Sequence, residues 1–158
     1  MSNEAIRPKL LVVEDDDTNR QTLERIFSKE PYDLRVAADG EAALDVVRED
    51  AVDVVLSDLM MPGMDGLEVL AELRERTAVP QVIMISGHGT VQTAVQATKL
   101  GAFDFIEKPL ETERVLVAVR NAIERKELQE EVGRLRVRFE RRYQMVGSSS
   151  QLDQVREA

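Results

Sequence analysis

The sequence predicts an α/β protein, in which helices cover both faces of an open, doubly wound sheet of five parallel strands. Five short apolar runs recur along the chain, and those beginning at Leu10, Val52 and Val82 are almost continuously apolar. Such runs are typical of strands buried on both faces of a parallel sheet, because neither row of side chains meets water. Apolar residues between the runs recur every three or four positions, as in amphipathic helices. This alternation predicts successive βα units with right-handed crossovers.

Local signals delimit the predicted elements. The strands are predicted at 10–13, 34–37, 52–56, 82–85 and 103–106. The clearest helical stripes are Leu23, Ile26 and Phe27, then Leu67, Leu70 and Leu73, then Val91, Ala94, Val95 and Thr98. Asp39 opens the second helix, and Gly101 closes the fourth. Asp65 and Glu68 have the spacing of a capping box at the start of the third helix.

Length and composition exclude several classes of protein. The 158 residues suit one α/β domain with an appendage, and no apolar run approaches the roughly 20 residues that cross a bilayer. The absence of cysteine excludes disulfides and thiolate metal sites. Residues 1–119 carry 12 Lys and Arg against 23 Asp and Glu, so this part should repel nucleic acid. Because the N-terminus lacks the pattern of a secretory signal, the cytoplasm is the expected compartment.

A long helix is predicted after the last strand, either continuous or as two helices in line. From Leu110 to about Tyr143 the chain has no proline and one glycine. Residues 120–142 carry 8 basic against 5 acidic residues, which fits a solvated helix or one that contacts an acidic surface. Four apolar residues have the spacing of a short coiled-coil seam: Leu128, Val132, Leu135 and Phe139. We therefore predict a homodimer through this helix, with folding of the seam onto its own domain as the alternative.

Polar residues follow the predicted strands at their carboxyl ends, where a doubly wound sheet binds its ligands. They are Glu14 and Asp15 after the first strand, Asp58 after the third, Ser86 after the fourth and Lys108 after the fifth. Crowded carboxylates repel each other and call for a cation, and Mg²⁺ prefers oxygen ligands. One carboxylate with Mg²⁺ and a lysine can support phosphoryl transfer. Asp58, which ends a buried strand, is the best candidate nucleophile, and Ser86 could donate a hydrogen bond to a phosphoryl oxygen.

These motifs resemble the receiver domain of bacterial two-component response regulators. The likeness covers about residues 8–125 and rests on Glu14-Asp15-Asp16, Asp58-Leu-Met-Met-Pro-Gly-Met-Asp-Gly, Met84-Ile-Ser86 and Lys108-Pro109. It implies a flavodoxin-like fold and a phosphoacceptor rather than an enzyme with turnover. It also implies that Asp58 accepts phosphate from a sensor histidine kinase.

The resemblance further implies a role for each matching residue. Mg²⁺ would be held by Glu14, Asp15, the Asp58 side chain and the Met60 backbone carbonyl. Lys108 would contact the phosphoryl group, Ser86 and Phe105 would switch with it, and the Lys108–Pro109 bond would be cis. Asp is commoner in the family where Glu14 stands, and Tyr is frequent where Phe105 stands. The longer Glu14 side chain leaves open whether this acid binds metal directly or through a water.

A second, shorter resemblance concerns the rest of the chain. The segment from Ser86 to Lys108 is similar to receivers of the NtrC type, which regulate sigma-54-dependent transcription. Residues 145–155 look like the opening of an AAA+ ATPase domain. We therefore expect a receiver at 8–125, a coiled-coil linker at 126–143 and a truncated AAA+ domain at 144–158. DNA and sigma-54 RNA polymerase are expected partners of the full-length protein only, because the sequence has no phosphate loop and no helix-turn-helix.

Other functions fit the acidic run less well. A haloacid-dehalogenase-like phosphohydrolase would need Asp-x-Asp-x-Thr after the first strand, and Asn19 stands in the last position. A calcium-binding loop would need Gly at Arg20 and Glu at Ile26. A dimerisation module with an inactive phosphate site would lack Asp58 or Lys108, and both are present. The remaining alternative for Asp58 and Lys108 is a buried ion pair with a purely structural role. The single histidine, His88, is interpreted as an exposed loop residue rather than a proton relay.

Overall fold

A five-stranded sheet in the order β2-β1-β3-β4-β5 organises the protein, and all its neighbouring strands are parallel. The computed structural model describes residues 7–76, 78–87 and 90–145. The strands are β1 (Lys9–Val13), β2 (Asp33–Ala37), β3 (Val54–Asp58), β4 (Gln81–Ser86) and β5 (Asp104–Glu107). The helices are α1 (Asp17–Phe27), α2 (Gly40–Glu49), α3 (Gly66–Arg74), α4 (Val91–Lys99) and α5 (Thr112–Met145).

Two apolar cores lie on the two faces of the sheet. Leu11 and Val13 face the core formed with α2, α3 and α4, whereas Leu10 and Val12 face the core formed with α1 and α5. Strands β1, β3 and β4 are buried along almost their whole length, as their continuous apolar runs predict. The predicted fold class, a doubly wound parallel sheet of the flavodoxin-like type, is confirmed.

Strand boundaries differ from the prediction by one or two residues. Strand β3 begins at Val54 rather than Val52 and continues through Asp58, because the hydrogen-bonded ladder includes polar residues at its end. Strand β5 is likewise displaced by one residue towards Glu107. Apolar runs mark buried side chains, whereas backbone hydrogen bonds define the strand, so the two need not coincide.

The periodicity of Val91, Ala94, Val95 and Thr98 predicts a helix, which α4 confirms, but the valines of this stripe do not face the core. Val91 is 81% exposed and Val95 is 46% exposed, whereas Ala97 is fully buried. Two backbone hydrogen bonds, from Ala102 to Ala97 and from Phe103 to Val82, fix the turn from α4 into β5. This turn places Ala97 against the sheet and directs the valines to solvent.

The predicted helix ends are confirmed. Asp39 caps α2, and Asp65 with Glu68 forms a reciprocal capping box at α3. Gly101 has a φ of 100° after α4, in the left-handed region that favours glycine. The caps fix where each helix leaves the edge of the sheet at which the strands end.

The chain divides into two compact units, Met1–Lys126 and Glu127–Ala158, and the boundary falls within α5, which is one continuous helix. In the first unit, α5 buries Val115, Ala118, Val119, Ala122 and Ile123. In the second, Leu128, Val132 and Leu135 are 63%, 47% and 51% exposed. The side chain of Phe139 and the predicted AAA+ residues from 146 onward lie outside the described residues. Among the helices described, none is both long enough and apolar enough for a membrane span.

Candidate functional site

Three carboxylates converge where β1 and β3 end. Glu14 directly follows β1, Asp15 is its neighbour, and Asp58 is the last residue of β3. One oxygen from each side chain lies within 4.8 Å of the other two. Glu14 and Asp58 are 1% and 5% exposed, whereas Asp15 is exposed. The pairing of Val13 with Ser57 brings these residues together, because it aligns the ends of two adjacent parallel strands.

Lys108 lies close to both buried carboxylates. Its Nζ is 3.4 Å from Glu14 Oε1 and 3.5 Å from Asp58 Oδ2. The backbone N–H of Lys108 donates to the Ser86 carbonyl at 2.8 Å, which ties the loop after β5 to the end of β4. The Lys108–Pro109 peptide bond is cis. Residues 94 positions apart in the sequence thus meet at one edge of the sheet.

Burial raises the pKa of Glu14 from its ordinary value of 4.5 to about 7. A hydrogen bond from the Asp16 backbone N–H to Glu14 Oε2, 3.1 Å long, acts in the opposite direction. The charge of Asp58 raises the pKa further, and that of Lys108 lowers it. The raised pKa favours the protonated form of Glu14, and a cation bound by the cluster would displace that proton.

The other predicted site residues occupy different environments. Ser86 ends β4 and is 1% exposed, and Phe105 in β5 is half-buried against the core that includes α4. Met60 follows Asp58 by two positions, and its side chain is 65% exposed. His88 lies outside the described residues.

The sequence reasoning missed two residues that shape this cluster. Arg20 on α1 donates from Nη1 to the carbonyl of Glu14 at 2.9 Å. A Cβ on Gly66, at the start of α3, would lie 2.6 Å from the carbonyl oxygen of Asp58. The sequence held a signal for each of these residues. Arg20 is a basic residue one turn into the helix that follows the acidic loop, and Gly66 is a glycine directly after the helix cap Asp65.

The donor set fits a hard divalent cation. It consists of carboxylate oxygens at a buried edge, which are the ligands that Mg²⁺ prefers. Lys108 adds an ammonium group that can contact the same carboxylates or a bound anion. The arrangement can therefore hold a cation and a phosphoryl group beside the oxygens of Asp58.

The fold and this acidic site define the class of the protein: the chain belongs to the response regulator receiver domain family. Residues 10–120 match that family, which is more than half of the chain. The site residues Glu14, Asp15, Asp58 and Lys108 all lie within the matched region.

Among known proteins, the chain is similar to regulators that are much longer than itself. It is 38% identical over 150 residues to the nitrogen assimilation regulatory protein NtrX of Azorhizobium caulinodans, covering 93% of this chain and 33% of that protein. It is 38% identical over 155 residues to the C4-dicarboxylate transport transcriptional regulatory protein DctD of Pseudomonas aeruginosa, covering 94% of this chain and 33% of DctD. The chain is also similar to the crystal structure of NtrX from Brucella abortus in complex with ADP, with 36% sequence identity and a TM-score of 0.75. The match covers 83% of this chain and 29% of the NtrX chain. The chain thus spans about a third of the length of these relatives.

Proposed function

We propose that this chain is the phosphoacceptor of a two-component system and that Asp58 receives a phosphoryl group from a sensor histidine kinase. A carboxylate oxygen of Asp58 forms the new P–O bond while the P–N bond of the phosphohistidine breaks, and the electron pair of that bond returns to the histidine nitrogen. The observation that supports this proposal most strongly is the convergence of Glu14, Asp15, Asp58 and Lys108 at one edge of the sheet. The chain acts as a stoichiometric acceptor and not as an enzyme with many turnovers.

Each residue of the site has a part in this transfer. Mg²⁺, when bound, supplies positive charge for the phosphoryl oxygens and would be held by Glu14, Asp15, Asp58 and the carbonyl of Met60. Lys108, at 3.5 Å from Asp58, pairs with a phosphoryl oxygen after transfer. The Ser86 hydroxyl donates a hydrogen bond to another phosphoryl oxygen. As Ser86 turns towards the phosphoryl group, Phe105 changes its side-chain rotamer.

Labelling with a small phosphodonor tests this assignment. Acetyl phosphate with Mg²⁺ should add one acid-labile phosphoryl group per chain, which intact-mass spectrometry detects. Asp58→Asn should remain unlabelled, whereas the matched control Asp45→Asn, which removes an exposed carboxylate on α2, should label like the parent. A stoichiometric adduct on Asp58→Asn would refute the proposal. Steady hydrolysis of many phosphomonoesters would instead support the phosphohydrolase alternative.

The output that we propose is control of a sigma-54-dependent transcription activator in a longer, cytoplasmic protein. This chain is similar to NtrX and DctD and covers only about a third of each, and both facts support the proposal. The receiver would occupy residues 8–125, the linker 126–143 and the start of an AAA+ domain 144–158. DNA and RNA polymerase contacts would then belong to the later domains. Sequencing the natural gene beyond codon 158 should reveal a Gly-x-x-x-x-Gly-Lys phosphate loop, and its absence would refute this part.

We further propose that α5 forms a homodimer through its exposed seam and that phosphorylation rearranges this dimer. Leu128, Val132 and Leu135 are exposed in the single chain, and burial stabilises a side chain of this kind by about 1.5–3 kcal/mol. A two-stranded coiled coil would bury all three symmetrically.

Sedimentation equilibrium tests the dimer with a matched pair of variants. Leu135→Glu should dissociate it, because the charge falls in the seam. Val137→Glu should not, because Val137 is similarly exposed, at 48% against 51%, and lies about 200° further round the helix. A monomeric parent at tens of micromolar, or a dimer that Leu135→Glu leaves intact, would contradict the proposal.

A further inference from the structure

The loop between β1 and α1, which carries the acidic pair, is held by hydrogen bonds on several sides. The Glu14 backbone N–H donates to the carbonyl of Ala37 in β2 at 3.0 Å. Its Oε2 accepts from the backbone N–H of Asp16, whose own side chain caps α1. The carbonyl of Glu14 accepts from Arg20 Nη1 at 2.9 Å. Arg20 thus forms a bridge from α1 back to the end of β1.

The guanidinium group of Arg20 is itself held in place. Its second arm, Nη2, pairs with the carboxylate of Asp17, and the side chain is only 20% exposed. The backbone N–H of Arg20 donates to Asp16 within the first turn of α1. Because guanidinium is planar, two held arms fix its orientation, which a lysine ammonium cannot reproduce.

We propose that Arg20 is a positioning residue for the metal site, and that it acts by holding the peptide group between Glu14 and Asp15. This peptide is planar, so fixing its carbonyl also fixes the direction in which Asp15 leaves the strand. Packing orients the buried side chains of Glu14 and Asp58, but Asp15 is exposed and depends more on its backbone. The inference rests on the proposed magnesium site and assigns a residue outside the acidic cluster to it.

The charge of Arg20 and its proposed positioning role predict opposite changes in Mg²⁺ affinity when Arg20 is removed. A cation next to the acidic loop repels a second cation, so its loss should strengthen Mg²⁺ binding. Loss of a positioning contact should weaken Mg²⁺ binding, typically by 10- to 100-fold for groups that orient metal ligands. The sign of the change in affinity therefore distinguishes the two roles.

Isothermal calorimetry with Mg²⁺ on the full chain tests the proposal. Arg20→Met should raise the Kd for Mg²⁺ about tenfold. Arg20→Lys keeps the charge but loses the planar fork, so it should also raise the Kd. The matched control Arg48→Met, which removes an exposed arginine paired with Asp45 three residues away on α2, should leave the Kd unchanged. At saturating Mg²⁺, both Arg20 variants should label with acetyl phosphate at the parent rate, because only affinity is lost.

The outcomes separate this inference from the proposed function. If the parent binds Mg²⁺ and the Arg20 variants bind it equally or more tightly, the positioning role is refuted while the phosphoacceptor proposal stands. If labelling stays slow at saturating Mg²⁺, Arg20 acts on the chemistry and the positioning role is again refuted. If the parent binds no Mg²⁺, the proposed metal site fails and this inference fails with it. Should Arg20→Met not fold, as circular dichroism would show, Arg20→Lys decides the question alone.

Discussion

Replacing Gly66 with alanine should destabilise the protein and slow the phosphorylation of Asp58. Gly66 is the buried first residue of α3. A Cβ at this position would lie 2.6 Å from the carbonyl oxygen of Asp58, 2.9 Å from Leu59 Cα and 3.2 Å from Met84 Cε. The two shorter contacts involve backbone atoms, which cannot rotate aside. They belong to the proposed phosphoacceptor and the residue after it.

The size of the effect follows from two opposing contributions. Forcing an extra methyl group into a packed site costs about 1–3 kcal/mol. Alanine recovers up to about 1 kcal/mol because it restricts the unfolded chain more than glycine does. The free energy of unfolding should therefore fall by about 1–2 kcal/mol, which lowers the Tm by about 3–10 °C for a domain of this size.

Urea denaturation and the rate of labelling by acetyl phosphate measure the two effects. Gly133→Ala in α5 is the matched control, because a Cβ there meets no atom within 4 Å. This control should stabilise its helix by about 0.5–1 kcal/mol and leave labelling unchanged. A Gly66→Ala variant with parental stability and labelling rate would contradict the predicted clash of its Cβ with the Asp58 backbone. Lower stability with parental labelling would show that the backbone shift does not reach the Asp58 side chain.

Three further predictions concern the acidic cluster and a helix cap. Because the pKa of Glu14 is raised to about 7, the folded state binds more protons than the unfolded state between about pH 4.5 and 7. Without divalent cations, the free energy of unfolding should therefore fall by up to about 3 kcal/mol as the pH rises through this range, and Glu14→Gln should abolish this dependence in urea titrations. Asp15→Ala should lose Mg²⁺-dependent labelling while Glu14→Asp retains it; complete loss on that shortening would contradict the assigned acidic pair. Asp65→Ala should lower the free energy of unfolding by about 1 kcal/mol, because the capping box of α3 is lost, and an unchanged urea midpoint would count against this cap.

Local patterns predicted most of the sheet and the ends of its helices. The buried strands β1, β3 and β4 follow from continuous apolar runs, because a strand covered on both faces buries both of its rows of side chains and carries polar residues only near its ends. The capping box of Asp65 and the left-handed Gly101 follow from signals within a few residues. Both kinds of pattern involve residues that are close in the sequence, so they can be recognised without knowledge of the tertiary structure.

The convergence of the acidic cluster was also predictable, although through the topology. Once the strands are taken as parallel, their carboxyl ends lie at one edge, and Glu14, Asp58 and Lys108 must approach each other. The raised pKa of Glu14 was not predictable, because it depends on how completely the surrounding residues exclude water. The contacts of Arg20 and Gly66 were missed for a similar reason, since both involve backbone atoms that side-chain patterns do not describe.

Sequence alone is enough to predict the order and type of the elements, the acidic residues at the strand ends and the continuous apolar strands of the core. The face of α4 that meets the sheet depends on tertiary packing, which exposes Val91 and buries Ala97. Only the tertiary structure placed the nearly buried Lys126, which donates from Nζ to the carbonyl of Val79 at 2.9 Å, 47 residues away. Periodicity records which residues share a face of one helix. The face that is buried and the backbone oxygen within reach depend on the angles between elements, which the packing of the whole core sets.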